Sequence, residues 1–156
     1  MSITTKNGDF GFTISFLGKK VKKNSPIIKL SSAIDETVSF LGITISELKS
    51  QKYIEILSNI QRDLLFFSNL EEKYLNERLK YFEEFITDNE KHFDLKEFIL
   101  PGTNKASALT HYSKALIRKT EIAYIEAFGT KNETMLKFLN RLSDFLFIIA
   151  LLIEKE

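Results

Sequence analysis

The sequence contains no cysteine. This absence excludes disulfide bonds, thiolate metal sites and a cysteine nucleophile, and it favours a reducing compartment, so we expect a cytoplasmic protein. The formal net charge at pH 7 is only +1, so the chain has no overall positive field that would attract nucleic acid. Any anion site must therefore come from a local concentration of lysine and arginine, and we expect no nucleic-acid partner.

Long apolar segments are also lacking. The longest apolar run covers residues 145–153, which is far shorter than the roughly 18 residues needed to span a bilayer. The first ten residues are polar and contain glycine, which is unlike a secretory signal peptide. These features predict a soluble protein with no membrane partner.

Histidine is scarce, and its spacing excludes one class of metalloprotein. The two histidines, His92 and His111, have Asn89 and Ala108 three residues before them, so neither belongs to a Glu-x-x-His pair. A ferritin-like di-iron bundle needs two such pairs. No Ser-His-Asp order and no Rossmann fingerprint is present either. We predict no metal site, and a surface or helix-end role for each histidine.

The residues that are present predict one helical domain. With 156 residues, 44% of them hydrophobic, the chain is long enough for a single core and too short for a second folded domain. Glycines and lysines concentrate in the first 23 residues, which predicts an ordered loop or a short hairpin there. From Pro26 onward apolar residues recur at helical spacing.

The predicted fold is all-α, an up-down bundle of five helices behind an N-terminal phosphate-binding loop. Gly42 is expected to end the first helix and Gly129 the fourth. Short connections favour antiparallel neighbours. The helices are predicted at residues 27–41, 46–70, 71–87, 105–128 and 133–153.

The N-terminal segment has the composition of a phosphate-binding loop. Residues 5–13 combine glycines, hydroxyl groups and a lysine, so backbone N–H groups and a point charge are both available to a phosphate chain. The segment is not a Walker A loop, because it lacks the Gly-Lys-Ser/Thr ending ahead of a helix. By itself it is equally compatible with a solvated turn.

A charged stripe is predicted on the fourth helix. Lys114, Arg118 and Glu121 stand at i, i+4 and i+7 and therefore project from one face. The alternative is a surface ladder of ion pairs, each worth a few tenths of a kcal/mol. Polar residues on another helix that face this stripe would favour a binding site instead.

Two other helices carry polar residues in apolar surroundings. Residues 140, 141, 143 and 144 interrupt the apolar fifth helix, which is typical of a site or of a subunit contact. On the first helix, Asp35 and Glu36 follow Ala33 and Ile34, and a carboxylate there needs a cation to offset its desolvation. Lys114 is the candidate for that cation.

Several segments, taken in order, resemble the motifs of one enzyme family. Residues 5–11 (TKNGDFG) resemble T-K-T-G-D-x-G, residues 34–36 (IDE) resemble the start of V-D-E-L-N, and residues 60–64 (IQRDL) resemble I-Q-x-D-L. Residues 98–102 (FILPG) resemble F-I-L-P-G-G, residues 111–122 resemble H-x-x-R-x-x-x-R-R-x-E-R, and residues 139–144 read LNRLSD. Almost from end to end the chain resembles the PduO-type cobalamin adenosyltransferases, which are homotrimeric helical bundles.

The resemblance implies a transferase that moves the 5′-deoxyadenosyl group of ATP to the cobalt of a reduced corrinoid. It implies ATP with Mg²⁺ between two subunits, residues 1–25 as the ATP-binding loop and residues 26–156 as the bundle. It also implies a flavoprotein reductase and an adenosylcobalamin-dependent acceptor enzyme as partners. The ATP contacts implied by position are Thr5, Lys6, Asn7, Gly8, Thr13, Lys23, Arg118, Lys119, Glu121 and Asn140.

The resemblance also implies the corrinoid-binding residues. Asp35 and Lys114 match a pair whose ion bridge joins neighbouring subunits near the corrinoid. Phe98 matches the aromatic residue that packs against the lower corrin face and excludes the axial ligand. Together with Arg118, these three residues form the implied catalytic set.

Four positions depart from the family pattern. Lysine replaces arginine at position 114, which keeps the charge but loses the bidentate fork. Ile122 replaces an arginine, and Thr103 replaces a glycine. In the segment that resembles V-D-E-L-N, Thr37 and Val38 stand in place of the final leucine and asparagine. The alternative function is therefore a non-catalytic relative that binds ATP or corrinoid as a carrier or sensor. A plain helical oligomer without a ligand is a third interpretation.

Overall fold

The computed structural model describes residue 6, residues 8–93 and residues 99–156. An antiparallel hairpin comes first, with β1 (Phe12–Ile14) paired to β2 (Lys20–Lys22). Five α-helices follow in the described residues, which confirms the predicted all-α bundle. They are α1 (Pro26–Ser46), α2 (Gln51–Leu65), α3 (Glu72–Glu90), α4 (Lys105–Phe128) and α5 (Glu133–Glu154).

Helix α4 begins and ends where the sequence predicts. Its N-cap is Asn104, whose side chain accepts hydrogen bonds from the backbone N–H groups of Ala106 and Ser107. Its C-cap is Gly129, in a left-handed conformation at φ 72° that glycine adopts without strain. Both ends of α4 are therefore determined by local sequence.

Helix α1 continues through Gly42, so the predicted end at residue 41 is wrong. A Cβ at Gly42 would meet Gln61 Nε2 at 3.3 Å. The same amide donates a hydrogen bond to the carbonyl of Val38 at 2.9 Å. The glycine therefore allows α2 to approach α1 closely and does not end the helix.

Helix α2 stops at Leu65, earlier than predicted, and a short 3₁₀ turn at Phe67–Asn69 follows. The turn directs Phe67 into the core, where it is 5% exposed and packs edge-on against Tyr124 with ring centroids 5.8 Å apart. Burial of this aromatic ring favours the bend over a continued helix.

Helix α5 supplies the centre of the core. Phe138 and Phe145 are fully buried and pack on Phe82 of α3, with ring centroids 5.7 and 4.7 Å apart. None of the helices in the described part of the chain is both long and apolar enough to cross a bilayer.

Hydroxyl groups join α1 to α4 inside the bundle. The hydroxyl oxygens of Thr37 and Thr120 are 3.1 Å apart, and those of Thr44 and Ser113 are also 3.1 Å apart. All four residues are buried. Because these side chains are small and mutually hydrogen-bonded, the two helices approach closely without leaving a buried hydroxyl unsatisfied.

A buried ion pair joins α2 to α3. Arg78 Nε donates to Asp63 Oδ2 at 2.7 Å, and the Tyr74 hydroxyl donates to Oδ1 of the same carboxylate at 2.5 Å. The Asp63 side chain is 5% exposed and that of Arg78 is 15% exposed. The guanidinium also lies 4.8 Å from the centroid of the Phe82 ring. This network ties α2 and α3 to the aromatic core.

We expect Asp63→Ala to destabilise the protein by about 3 kcal/mol, because it leaves the Arg78 charge buried without a partner. Urea unfolding at a fixed chain concentration measures the change. The matched control is Glu84→Ala, which breaks the exposed Lys80–Glu84 pair of α3 and should cost less than about 0.5 kcal/mol. Equal losses in the two variants would contradict a structural role for the buried pair.

Candidate functional site

The hairpin brings the predicted N-terminal loop against Lys23. The backbone N–H of Lys23 donates to the carbonyl of Gly11 at 2.9 Å, and a Cβ on Gly8 would meet Lys23 Nζ at 2.9 Å. Lys6 is exposed and has a left-handed φ of 57°. Thr13 lies in β1, opposite Val21. The loop therefore places the backbone of Gly8 directly beside a lysine ammonium group, while the predicted residues Thr5 and Asn7 lie outside the described residues.

A cleft of about 400 Å³ lies between α1 and α4, next to this loop, and Lys23 is part of its lining. Two ion pairs cross it: Lys119 donates to Glu36 at 2.5 Å, and Lys29 pairs with Glu126 at 3.4 Å. The Glu36 carboxylate raises the pKa of Lys119 through this hydrogen bond. The prediction that Lys114 compensates the acidic residues of α1 is therefore wrong for Glu36, because Lys119 is the cation on the side of α4 that faces α1.

The predicted stripe of α4 lies on its other edge, next to α5. Lys114 Nζ lies 5.2 Å from the centroid of the Phe147 ring, and Arg118 follows one turn later. Among the described residues, neither cation has a carboxylate within ion-pairing distance. Burial lowers the pKa of Lys114, and the Arg118 charge lowers it further. The alternative of an ion-pair ladder is therefore not observed, and an anion is the ligand that suits this edge.

The register of α4 and α5 places two further predicted residues beside each other. The helices are antiparallel, and Lys114 meets Phe147. Seven residues later in α4 is Glu121, and seven residues earlier in α5 is Asn140. Seven residues are close to two full turns in each helix, so Glu121 and Asn140 lie level on the same edge.

The polar residues of the fifth helix divide between two roles. Arg141 donates to Glu83 of α3 at 3.1 Å and to Asp144 at 3.3 Å. The buried Ser143 hydroxyl donates to the carbonyl of Asn140 at 2.9 Å. Arg141, which also bonds to Asp144 within α5, thus ties α5 to α3, whereas the side chain of Asn140 is exposed on the α4 edge.

Asp35 does not meet Lys114 within one chain. It is exposed and lies two residues, or about 200°, around α1 from Thr37, which faces α4. Among the described residues no cation is within ion-pairing distance of its carboxylate. Phe98, the other residue assigned to the corrinoid by resemblance, lies outside the described residues.

His111 is a residue whose environment the sequence did not reveal. It is 5% exposed, and neither ring nitrogen has a hydrogen-bond partner among the described residues. Burial lowers the pKa of His111, the Lys114 ammonium lowers it further, and the Glu154 carboxylate opposes them. The sequence predicts a surface or helix-end role for each histidine: a surface role is wrong for the buried His111, whereas His92 is exposed just beyond the end of α3. The available signal was its place three residues before Lys114 at the start of the fourth-helix motif.

Comparison with known protein families gives one match over nearly the whole chain. The family model described as cobalamin adenosyltransferase matches residues 3–153. A corrinoid adenosyltransferase of Bacillus subtilis is 33% identical over 166 residues, which cover 96% of this chain and 85% of the relative. The corrinoid adenosyltransferase PduO of Citrobacter freundii is 29% identical. The match covers 96% of this chain and 49% of that relative, so the chain spans about half its length.

Solved structures resemble the fold as well. One is a variant of the PduO-type ATP:corrinoid adenosyltransferase from Lactobacillus reuteri, complexed with cobalamin and ATP, at 27% identity and a TM-score of 0.84. The likeness covers 96% of this chain and 91% of that one. Another variant of the same enzyme, complexed with ATP, is 28% identical with a TM-score of 0.84, and covers 95% of this chain and 91% of its own.

We expect the protein to lose stability as the pH falls from about 7 to 5. The pKa of His111 is lower in the folded chain than its value of about 6.5 in an unfolded chain, so the unfolded state takes up the proton first. The contribution of neutral His111 to the free energy of unfolding is fully present above the pKa of the unfolded chain. It is lost as the pH falls towards the lower pKa of the folded chain. His111→Phe should flatten this part of the urea-unfolding profile, and His92→Gln should not; identical profiles for wild type and His111→Phe would contradict the assignment.

Proposed function

The chain belongs to the cobalamin adenosyltransferase family, and on that premise we propose that it transfers the 5′-deoxyadenosyl group of ATP to the cobalt of a reduced corrinoid. The two products are triphosphate and the adenosylated corrinoid, which is adenosylcobalamin when the substrate is cobalamin. The observation that carries the proposal is the α4 edge on which Lys114 and Arg118 stand one turn apart without a carboxylate partner among the described residues. In this position Arg118 suits a polyanionic substrate, and Lys114 suits a carboxylate from a neighbouring subunit.

The ATP site that we propose draws on both ends of the chain. Its residues are Thr5, Lys6, Asn7, Gly8, Thr13, Lys23, Arg118, Lys119, Glu121 and Asn140. In one chain Lys23 and Lys119 line the α1–α4 cleft, whereas Arg118 and Asn140 lie on the α4–α5 edge. The two groups point to different sides of α4. A site completed by a neighbouring copy brings them to one ATP, which supports a homotrimer with shared sites.

The reaction needs alignment and charge stabilisation more than proton transfer. The Co(I) centre of the substrate donates its electron pair to C5′ of ATP, the Co–C bond forms, and the C5′–O bond breaks with its electrons leaving on the triphosphate. The cobalt is thereby oxidised to Co(III). The chain contributes by holding C5′ in line and by placing Arg118 and the loop lysines against the departing charge. No general acid or base is required.

The corrinoid site involves Asp35, Lys114 and Phe98. Because Asp35 faces away from α4 in its own chain, we propose that it pairs with Lys114 of a neighbouring subunit. Phe98 excludes the lower axial ligand, which makes the Co(II) form of the substrate easier to reduce.

In the described part of the chain, no group of three histidine or acidic side chains is placed to bind a metal ion such as Mg²⁺. Mg²⁺ that accompanies ATP binds through phosphate oxygens and water, so the protein need not supply ligands. The flavoprotein reductase, the adenosylcobalamin-dependent acceptor and the cytoplasmic location stay predictions.

The second candidate function is a non-catalytic carrier or sensor that binds ATP or corrinoid. It is favoured by the substitutions at two motif positions: Lys114 replaces an arginine, and Ile122, 62% exposed, contributes an apolar side chain to the α1–α4 cleft. An anaerobic assay with ATP and reduced cobalamin distinguishes the two. Formation of adenosylcobalamin supports the enzyme, and ligand binding without turnover supports the carrier.

In that assay we expect Arg118→Ala to lower kcat/KM at least about 30-fold, or roughly 2 kcal/mol, because a preorganised charge contact to the triphosphate is lost. The matched control is Lys137→Ala on α5, whose exposed cation pairs with Glu133 at 3.4 Å. The control should leave both turnover and stability unchanged. Equal turnover in wild type and Arg118→Ala would show that the triphosphate is bound elsewhere.

A double-mutant cycle tests the pairing of Asp35 with Lys114 between subunits. We expect Asp35→Asn and Lys114→Met each to weaken corrinoid binding, and the double variant to lose less than the sum of both. Lys114→Arg restores the bidentate geometry and should leave activity equal or better.

Light scattering supplies the independent readout for this pairing. It should give a mass near three times 18.0 kDa for the wild-type protein. A strict monomer at micromolar concentration, or purely additive losses in the cycle, would contradict the shared site.

A further inference from the structure

His111 is a buried histidine to which the proposed function gives no role. Its side chain is 5% exposed, and neither Nδ1 nor Nε2 has a hydrogen-bond partner among the described residues. A buried polar group without a partner reduces stability, so its presence calls for an explanation, such as a ligand that supplies the missing partner. The neighbouring hydroxyls of α4 show the contrast, since Thr110 and Ser113 are buried and both are hydrogen-bonded.

Three contacts locate His111 within the bundle. Its ring meets the Phe147 ring edge-on, with centroids 5.7 Å apart at 62°, and the Lys114 ammonium lies 5.2 Å from the centroid of the same Phe147 ring. Glu154 of α5 is close enough for its charge to act on His111, and it accepts a hydrogen bond from the Thr103 hydroxyl. His111 therefore shares its surroundings with Lys114 and with the residues at the end of α5.

We propose that His111 is a further corrinoid-binding residue, whose neutral imidazole accepts, at its unprotonated nitrogen, a hydrogen bond from the N–H group of a carboxamide side chain of the corrin ring. The inference rests on the proposed function. A neutral imidazole has one N–H donor and one nitrogen acceptor, and a primary carboxamide offers the complementary carbonyl oxygen and N–H groups. The corrin ring is bordered by such carboxamides.

Burial and the Lys114 charge favour the neutral form of His111 that this contact requires, and the Glu154 charge opposes them. Lys114 approaches on α4 and Glu154 on α5, and the balance of burial and charge lowers the pKa of His111. Protonation would convert the acceptor nitrogen into a donor and would place a second cation beside Lys114. Because the nitrogens are covered in the free chain, corrinoid binding must shift the Phe147 ring, which is only partly buried.

The test is a titration of the protein with cob(II)alamin in the presence of ATP, with ATP affinity measured separately. His111→Phe keeps a planar ring and removes both polar atoms. We expect it to weaken corrinoid binding about tenfold, to leave ATP affinity unchanged, and to keep or increase thermal stability. His111→Gln restores one donor and one acceptor and should bind corrinoid within about threefold of wild type. Wild-type corrinoid affinity should stay constant from pH 7.5 to about 6.5 and fall only at lower pH, where His111 of the free chain takes up a proton, and His111→Gln should not show this fall.

Corrinoid affinity that is equal in wild type and His111→Phe, or a fall below about pH 6.5 that His111→Gln shares equally, would overturn the inference. Paramagnetic resonance of bound Co(II) gives a further readout. Nitrogen coupling that disappears in His111→Phe would mean that the imidazole ligates cobalt and does not bind a carboxamide. If His111→Phe fails to fold, His111→Gln and the wild-type pH profile still decide the matter. A wild-type protein that binds no corrinoid would instead refute the proposed function itself.

Discussion

The burial of α4 between α1 and α5 determines where the charged side chains that α4 contributes to the candidate site lie. On one side, the hydroxyl pairs Thr37–Thr120 and Thr44–Ser113 fix the register of α4 against α1. On the other side, α4 packs along α5, the helix that supplies the centre of the core. A helix that is packed on two sides has only its edges left for charge. The cations of α4 therefore divide between an edge next to α1 and an edge next to α5.

The two edges differ in how their cations are compensated, and this difference has functional meaning. Next to α1, Lys119 is neutralised by Glu36 in an exposed ion pair, which adds little to stability. Next to α5, Lys114 lies over the face of Phe147 and has no carboxylate partner among the described residues, and Arg118 stands one turn away. Holding two like charges together is unfavourable in the free chain. An anion bound at this edge relieves the repulsion between the two cations, and this relief adds to the free energy with which the anion binds.

Buried polar groups in this bundle are of two kinds. Asp63 is satisfied by Arg78 and Tyr74, and its network joins α2 and α3 to the aromatic core. His111 is buried to the same extent but has no partner among the described residues. The first arrangement explains stability, whereas the second suits a ligand. Burial alone does not distinguish structural residues from functional ones. The hydrogen-bond partners of each polar atom make that distinction.

Local sequence determined the helices, the bounds of α4 and the spacing of Lys114, Arg118 and Glu121, because periodicity, caps and side-chain direction act within a few residues. The motifs also determined the family. Only the tertiary structure decided that α1 continues past Gly42, that Glu36 pairs with Lys119, and that His111 is buried. Each of these outcomes depends on a neighbour that is distant in the chain, such as Gln61 of α2 or Phe147 of α5. The distance and register between packed helices are not encoded in any single segment, so the partner of a side chain is known only once the helices have packed.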